Sequence, residues 1–147
     1  MKIVKNLLKN DLNIRTERDF PVKGIEFIDI NPLILQKETL NEIVDIFTSK
    51  LKDSHIDYIV APEARGFIFG TPVAYNLGCG CIPVRKKGKL PPSTVDATFE
   101  YEKEYGKDIL ELPKLVNEEY KNKNFYIIDD IYATGTLLKR LRQKLKN

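Results

Sequence analysis

The chain is poor in the residues that build covalent or metal-held scaffolds, with two cysteines and one histidine among 147 residues. A disulfide framework or a zinc module needs several such groups at set spacings, so neither is expected. Cys79 and Cys81 flank a single glycine; on an alternating strand both would point the same way without closing a useful loop, and they read as packing residues. His55 lies in the polar turn Asp53-Ser54-His55 and reads as a surface residue. Long hydrophobic runs are also missing. No eighteen apolar residues stand together, and Lys and Asn interrupt the first twelve positions. Neither a membrane span nor a secretory signal is read, and the expected location is cytoplasmic. Charge of one sign is not in excess either: 24 basic residues face 21 acidic ones, a net +3, which predicts no nucleic-acid partner.

What remains is the composition of an ordinary globular protein, 42% hydrophobic and 31% charged, which excludes disorder and fibrous architecture. The length suits a single domain over residues 1–147. Ile3, Val4, Leu7 and Leu8 share a helical face, predicting a short N-terminal helix that ends near Asn10 or Asn13. The punctuated loop Phe20-Pro21-Val22-Lys23-Gly24 leads into an alternation of Ile25, Phe27 and Ile30. Leu40, Ile43, Val44, Phe47 and Leu51 recur every three or four residues, the strongest amphipathic helix in the chain. Tyr58-Ile59-Val60-Ala61 reads as a buried parallel strand. A helix from about Phe67 to Leu77 follows, stopped by Gly78, and then a strand at Cys81-Ile82-Pro83-Val84. From Arg85 to Gly106 the periodicity is lost, and a long irregular stretch is expected there. Ile109 to Leu112 reads as a strand with Phe99 to Tyr101 as a possible antiparallel partner, and Phe125 to Ile128 as a second core strand. A last helix carries Leu137, Leu138, Leu141 and Leu145 on one face, with basic residues near its end favouring the macrodipole. Alternating strands and helices make the fold α/β, an open and mostly parallel sheet flanked by helices.

The most informative segment runs from Ile127 to Thr136, IIDDIYATGT. An apolar strand ends in Asp129 and Asp130, and a turn of small residues opens a helix. In such sheets ligands bind beyond the carboxyl ends of strands, where a helix start offers free N–H groups to an anion. Ala133, Thr134, Gly135, Thr136 and Leu137 are thus candidates to cradle a phosphate. The two aspartates can accept hydrogen bonds from sugar hydroxyls or hold magnesium through water. A phosphate beside a polyol points to a ribose phosphate.

This segment resembles the phosphoribosyl pyrophosphate signature of the type I phosphoribosyltransferases. The adenine-specific branch of that family is resembled by Ile14-Arg15-Thr16, Asp19-Phe20-Pro21 and Gly24 to Ile30, by Glu63 to Gly70, by Pro83 to Pro91, and by Glu104-Tyr105-Gly106. The likeness runs in order from about residue 14 to residue 141. It implies the type I phosphoribosyltransferase fold with a β-hairpin flap over Lys87 to Tyr105. It also implies transfer of 5-phosphoribosyl from phosphoribosyl pyrophosphate to adenine, giving AMP and pyrophosphate. Arg65, Arg85, Lys86 and Lys89 fall where the family neutralises pyrophosphate. Glu104 falls at the catalytic acid or base, and Glu26, Phe27 and Ile28 at the purine, with Phe27 stacking on it. The resemblance implies Mg2+ as cofactor, held mainly by substrate and water without a protein metal site, small-molecule substrates as partners, and a homodimer.

Three local departures stand out. The loop before Glu104 carries two extra residues, so Glu102 competes for its role. Ile28 stands where many relatives carry Arg, and Thr136-Leu137 replaces a usual Gly-Thr. Relatives continue past the last helix with further strands, so a sheet open at the Phe125 to Ile128 edge is expected. That shortness leaves room for an inactive phosphoribosyl pyrophosphate or nucleotide binder, or for another purine as substrate.

Overall fold

Ile59, Val60, Ala61 and Pro62 are four successive buried residues, the burial of a strand covered on both faces. They belong to β3 (Tyr58–Pro62), which pairs in parallel with β4 (Gly80–Lys86) on one side and β7 (Phe125–Ile127) on the other. The computed structural model describes residues 14–103, 106–116 and 120–130, together with 139, 141, 143 and 145; at 102, 103 and 106 only the backbone is described. The predicted N-terminal helix lies outside them. Two units divide after Lys50.

In the first unit, β1 (Arg15–Arg18) and β2 (Glu26–Asp29) form an antiparallel pair, with Arg15 opposite Asp29 and Glu17 opposite Phe27. Gly24 sits in the connecting loop at φ 91°, a left-handed conformation, and donates its N–H to Asp19 Oδ1 at 2.7 Å. α1 (Asn31–Leu35) and α2 (Lys37–Leu51) follow. Ile43, Val44 and Leu51 of α2 are buried as the apolar spacing predicts.

The second unit contains the main sheet, in the order β5 (Val95–Lys103), β6 (Gly106–Pro113), β4, β3, β7. Its β7–β3–β4 part is parallel, and α3 (Arg65–Leu77) is the crossover from β3 to β4. Gly78 ends α3 at φ 69°, its N–H on the Tyr75 carbonyl, the C-terminal stop read from the sequence. Gly70 lets α3 approach the sheet: a Cβ there would stand 2.8 Å from the Ala61 Cβ.

The antiparallel pairing expected of Phe99 to Tyr101 with Ile109 to Leu112 is present, while the irregularity expected from Arg85 to Gly106 is corrected. Most of the stretch from Arg85 to Gly106 is regular, with a short 3-10 turn at Pro92–Thr94 and then β5 (Val95–Lys103) paired antiparallel with β6 (Gly106–Pro113). β6 in turn joins β4 antiparallel, so the hairpin is a continuation of the sheet. Val95, Ala97, Phe99 and Tyr101 alternate as half-buried residues with exposed Asp96, Thr98 and Glu100. That period of two was obscured by the high charge of the exposed face.

One face of this sheet builds the core from Val60, Ile82, Val84, Leu110 and Leu112, joined by Leu141 and Leu145 of the last helical segment. Leu141 and Leu145 of the apolar stripe assigned to that helix therefore cover the sheet, while Leu137 and Leu138 lie outside the described residues.

Candidate functional site

Because β3, β4 and β7 are parallel neighbours, the residues following them emerge along one edge. Glu63 follows β3, Arg85 and Lys86 end β4, and Asp129 and Asp130 follow Ile128, whose N–H still bonds the Val60 carbonyl. The three segments change from apolar to charged at the same level.

At the β7 end the two acids interact closely. The Asp130 N–H donates to Asp129 Oδ1 at 3.0 Å. Burial first, and then the neighbouring Asp130 charge, push the Asp129 carboxyl up to about 7. The Asp130 side chain is only 5% exposed, and Arg65 Nε lies 3.0 Å from its Oδ2. That oxygen nonetheless lacks a hydrogen bond of acceptable direction. The two observations agree if the guanidinium attracts the carboxylate by charge while its N–H points off axis. Arg65 itself is 41% exposed, so the cation also faces solvent.

Arg65 is placed by the turn Glu63-Ala64-Arg65-Gly66, whose Glu63–Ala64 peptide is cis. Ala64 caps α3 without a side-chain bond, leaving N–H groups of the first turn for an anion. Gly66 is required by close approach. A Cβ there would stand 2.8 Å from Pro62 Cδ and 2.9 Å from the Ile128 carbonyl oxygen.

At the β4 end, Glu63 Oε2 accepts from Arg85 Nε at 3.0 Å and from the Lys86 N–H at 2.8 Å. The backbone donor, followed by Arg85, holds the Glu63 carboxyl below its ordinary range. Arg85 also lies over the Phe67 ring at 5.9 Å. Lys86 to Lys89 close a turn through the Lys89 N–H to the Lys86 carbonyl, with Gly88 at φ 77°. Lys86 and Lys89 are exposed.

The structure thus brings Arg65 to Asp130 and sets Arg85, Lys86 and Lys89 on one short basic segment. Glu26, Phe27 and Ile28 lie on β2 of the first unit, where Phe27 meets Phe20 edge to face at 5.1 Å. Ala133, Thr134, Gly135, Thr136, Leu137 and Glu104 lie outside the described residues, as does the side chain of Glu102. Sequence reasoning missed Glu63, which entered there only as the first residue of a matching segment, and Glu111, an acid inside the apolar alternation Leu110-Glu111-Leu112. That interruption was the available signal, since it turns a carboxylate to the face opposite the core. Among the described residues no group of three or more His, Cys, Asp or Glu could hold a metal ion, and no helix is long and apolar enough to cross a membrane.

Known proteins resemble this chain over most of its length. A family model described as a phosphoribosyl transferase domain matches residues 34–147. An adenine phosphoribosyltransferase of Clostridium acetobutylicum is 53% identical over 123 residues, covering 84% of this chain and 69% of that protein. The crystal structure of an adenine phosphoribosyltransferase from Thermoanaerobacter pseudethanolicus superposes with a TM-score of 0.78 at 39% identity, covering 98% of this chain and 80% of the other. The Saccharomyces cerevisiae enzyme, crystallised with an imino-altritol bisphosphate and adenine, gives a TM-score of 0.79 at 36% identity, covering 99% and 82%.

Proposed function

The chain belongs to the adenine phosphoribosyltransferase family, and on that premise we propose which of its residues carry the reaction. It is a pentosyltransferase of purine salvage, moving 5-phosphoribosyl from phosphoribosyl pyrophosphate to adenine and giving AMP and pyrophosphate. The observation that carries the residue assignment is the Arg65–Asp130 pair, with Asp129 beside it, where two parallel strands end. It sets an exposed cation for a leaving anion next to acceptors for a sugar.

Transfer breaks the bond between the anomeric carbon and a pyrophosphate oxygen and forms one to a ring nitrogen of adenine. Positive charge develops on the sugar and negative charge on the departing oxygen. Ionised Asp129 and Asp130 favour the first, while Arg65, the start of α3, Lys86 and Lys89 favour the second. Arg85, engaged with Glu63, contributes through the guanidinium nitrogens that remain. The segment Ala133 to Leu137 keeps its proposed role in gripping the 5-phosphate. Glu104 takes the adenine proton as the new bond forms, and Phe27, with the backbone at Glu26 and Ile28, receives the base.

Mg2+ fits this oxygen-rich setting. Asp130 Oδ2 is a buried oxygen without a hydrogen bond, and a paired carboxylate with no third His, Cys, Asp or Glu ligand among the described residues suits an ion that keeps waters and substrate phosphates. When bound, the ion supplies charge neutralisation for the pyrophosphate. A cytoplasmic location is part of the same reading. So is a homodimer, supported by Ile68 and the 86% exposed Tyr75, seven residues apart on α3 and so on one face. Purified protein with adenine, phosphoribosyl pyrophosphate and Mg2+ is expected to form AMP. Absence of AMP under these conditions would overturn the assignment.

A further inference from the structure

A row of charge crosses three strands at the edge of the main sheet. β3 and β4 are parallel with Pro62 opposite Val84, so Glu63 stands beside Arg85; β4 and β6 are antiparallel with Arg85 opposite Glu111. Directly opposed residues share a face. Glu63 and Glu111 therefore flank Arg85 on the side away from the Val84, Leu110 and Leu112 core. Glu63 is engaged with Arg85 and the Lys86 N–H. Glu111 is different. It is 7% exposed, and its Oε2 accepts the Gly88 N–H at 3.1 Å, inside the turn that presents Lys86 and Lys89.

We infer that Glu111 is a positioning residue: its buried carboxylate fixes the Lys86–Lys89 turn in the conformation that receives a pyrophosphate group. The turn has few other constraints. The Lys87 N–H reaches the Ile109 carbonyl, and the Lys89 N–H reaches the Lys86 carbonyl. Gly88, at φ 77°, is in the left-handed region that its lack of a side chain makes accessible, and its N–H is the group that Glu111 holds. A carboxylate buried at this spot is costly unless it is bonded. Gly88 supplies such a bond, so the acid and the turn order each other. Two lysines with long side chains bind a multiply charged anion better when their backbone is already set.

The inference rests on the pyrophosphate-binding reading of this edge, so the experiment separates the two. Calorimetric titration with magnesium pyrophosphate is compared for wild type, Glu111→Ala and Glu111→Gln, alongside melting temperatures and steady-state kinetics. Glu111→Ala is expected to weaken pyrophosphate and raise KM for phosphoribosyl pyrophosphate about tenfold, the effect of losing one charge-assisted hydrogen bond. KM for adenine stays unchanged. Glu111→Gln retains an acceptor for the Gly88 N–H and restores binding to within about threefold. A folded Glu111→Ala protein with wild-type affinity overturns the positioning role, and so does a Gln variant as weak as the Ala variant. Gly88→Ala supplies an arm that spares the core, because a Cβ there meets nothing within 4 Å and only the turn is strained. Weakened pyrophosphate binding is expected, and wild-type affinity in that variant also overturns the role. Wild-type protein that binds no pyrophosphate overturns the site reading itself.

Discussion

Along β3 the chain passes from four buried apolar residues to Glu63 in a single step, and β4 makes the same passage from Val84 to Arg85. The two regions separated by that step obey different rules. Below it, Val60, Ile82, Val84, Leu110 and Leu112 are packed against one another and against Leu141 and Leu145, and their contribution is area removed from water. Above it, Asp129 and Asp130 are held close together partly out of water, a cost that an isolated fold would not select. Stability and chemistry are thus stacked on the same strands, one residue apart, and substitutions should separate them.

The largest effect is expected on the apolar side. Leu110 is wholly buried, and Leu110→Ala should cost about 2–5 kcal/mol in denaturant unfolding. The fraction still folded should keep its KM values. A Leu110→Ala protein with normal stability would show that the hairpin strand is not part of the core. On the charged side, Asp130→Asn should lower kcat/KM for phosphoribosyl pyrophosphate about a hundredfold while leaving the melting temperature unchanged or higher. Equal losses of stability and activity would erase the distinction between the regions. Gly66 lies at the border. Gly66→Ala forces a Cβ against Pro62 and the Ile128 carbonyl, neither of which can swing aside, and should cost about 1–3 kcal/mol and disturb Arg65.

Much of the lower region was legible in the sequence. α2 and α3 announced themselves by apolar spacing and by Gly78, and β3 and β7 by short apolar runs. The hairpin was legible only in part, because Asp96, Thr98 and Glu100 dilute the alternation of Val95, Ala97, Phe99 and Tyr101 on a surface strand. At the site, Asp129 and Asp130 could be read from their place between strand and turn, and Arg65 from the family resemblance. The partners could not. Glu63 meets Arg85 twenty-two positions away only because β3 and β4 pair in one register, and Glu111 meets Gly88 only because β6 returns beside β4. Strand order and register are properties of the assembled sheet, and no local pattern encodes which acid will face which base.

The finest separation is in pH. The Asp129 carboxyl is raised from an ordinary value of 3.8 to about 7, first by burial and then by Asp130. The folded state therefore holds this proton more tightly than the unfolded state. Its destabilising charge is absent at pH values below the ordinary one, grows as pH rises toward 7, and is constant beyond. Glu63 and Asp29 are shifted downward, so their contributions change in more acidic solution, below the window from pH 5.5 to 7. Within that window the ligand-free protein should melt at a lower temperature as pH rises, and Asp129→Asn should abolish that part of the slope. Activity should run the other way. If the ionised carboxylate favours positive charge on the sugar, kcat/KM for phosphoribosyl pyrophosphate must fall as pH drops through about 7, where the free enzyme takes up the proton. Parallel pH profiles for melting and catalysis would show that Asp129 is an ordinary buried acid. Opposed profiles would show the same charge weakening the fold and driving the transfer.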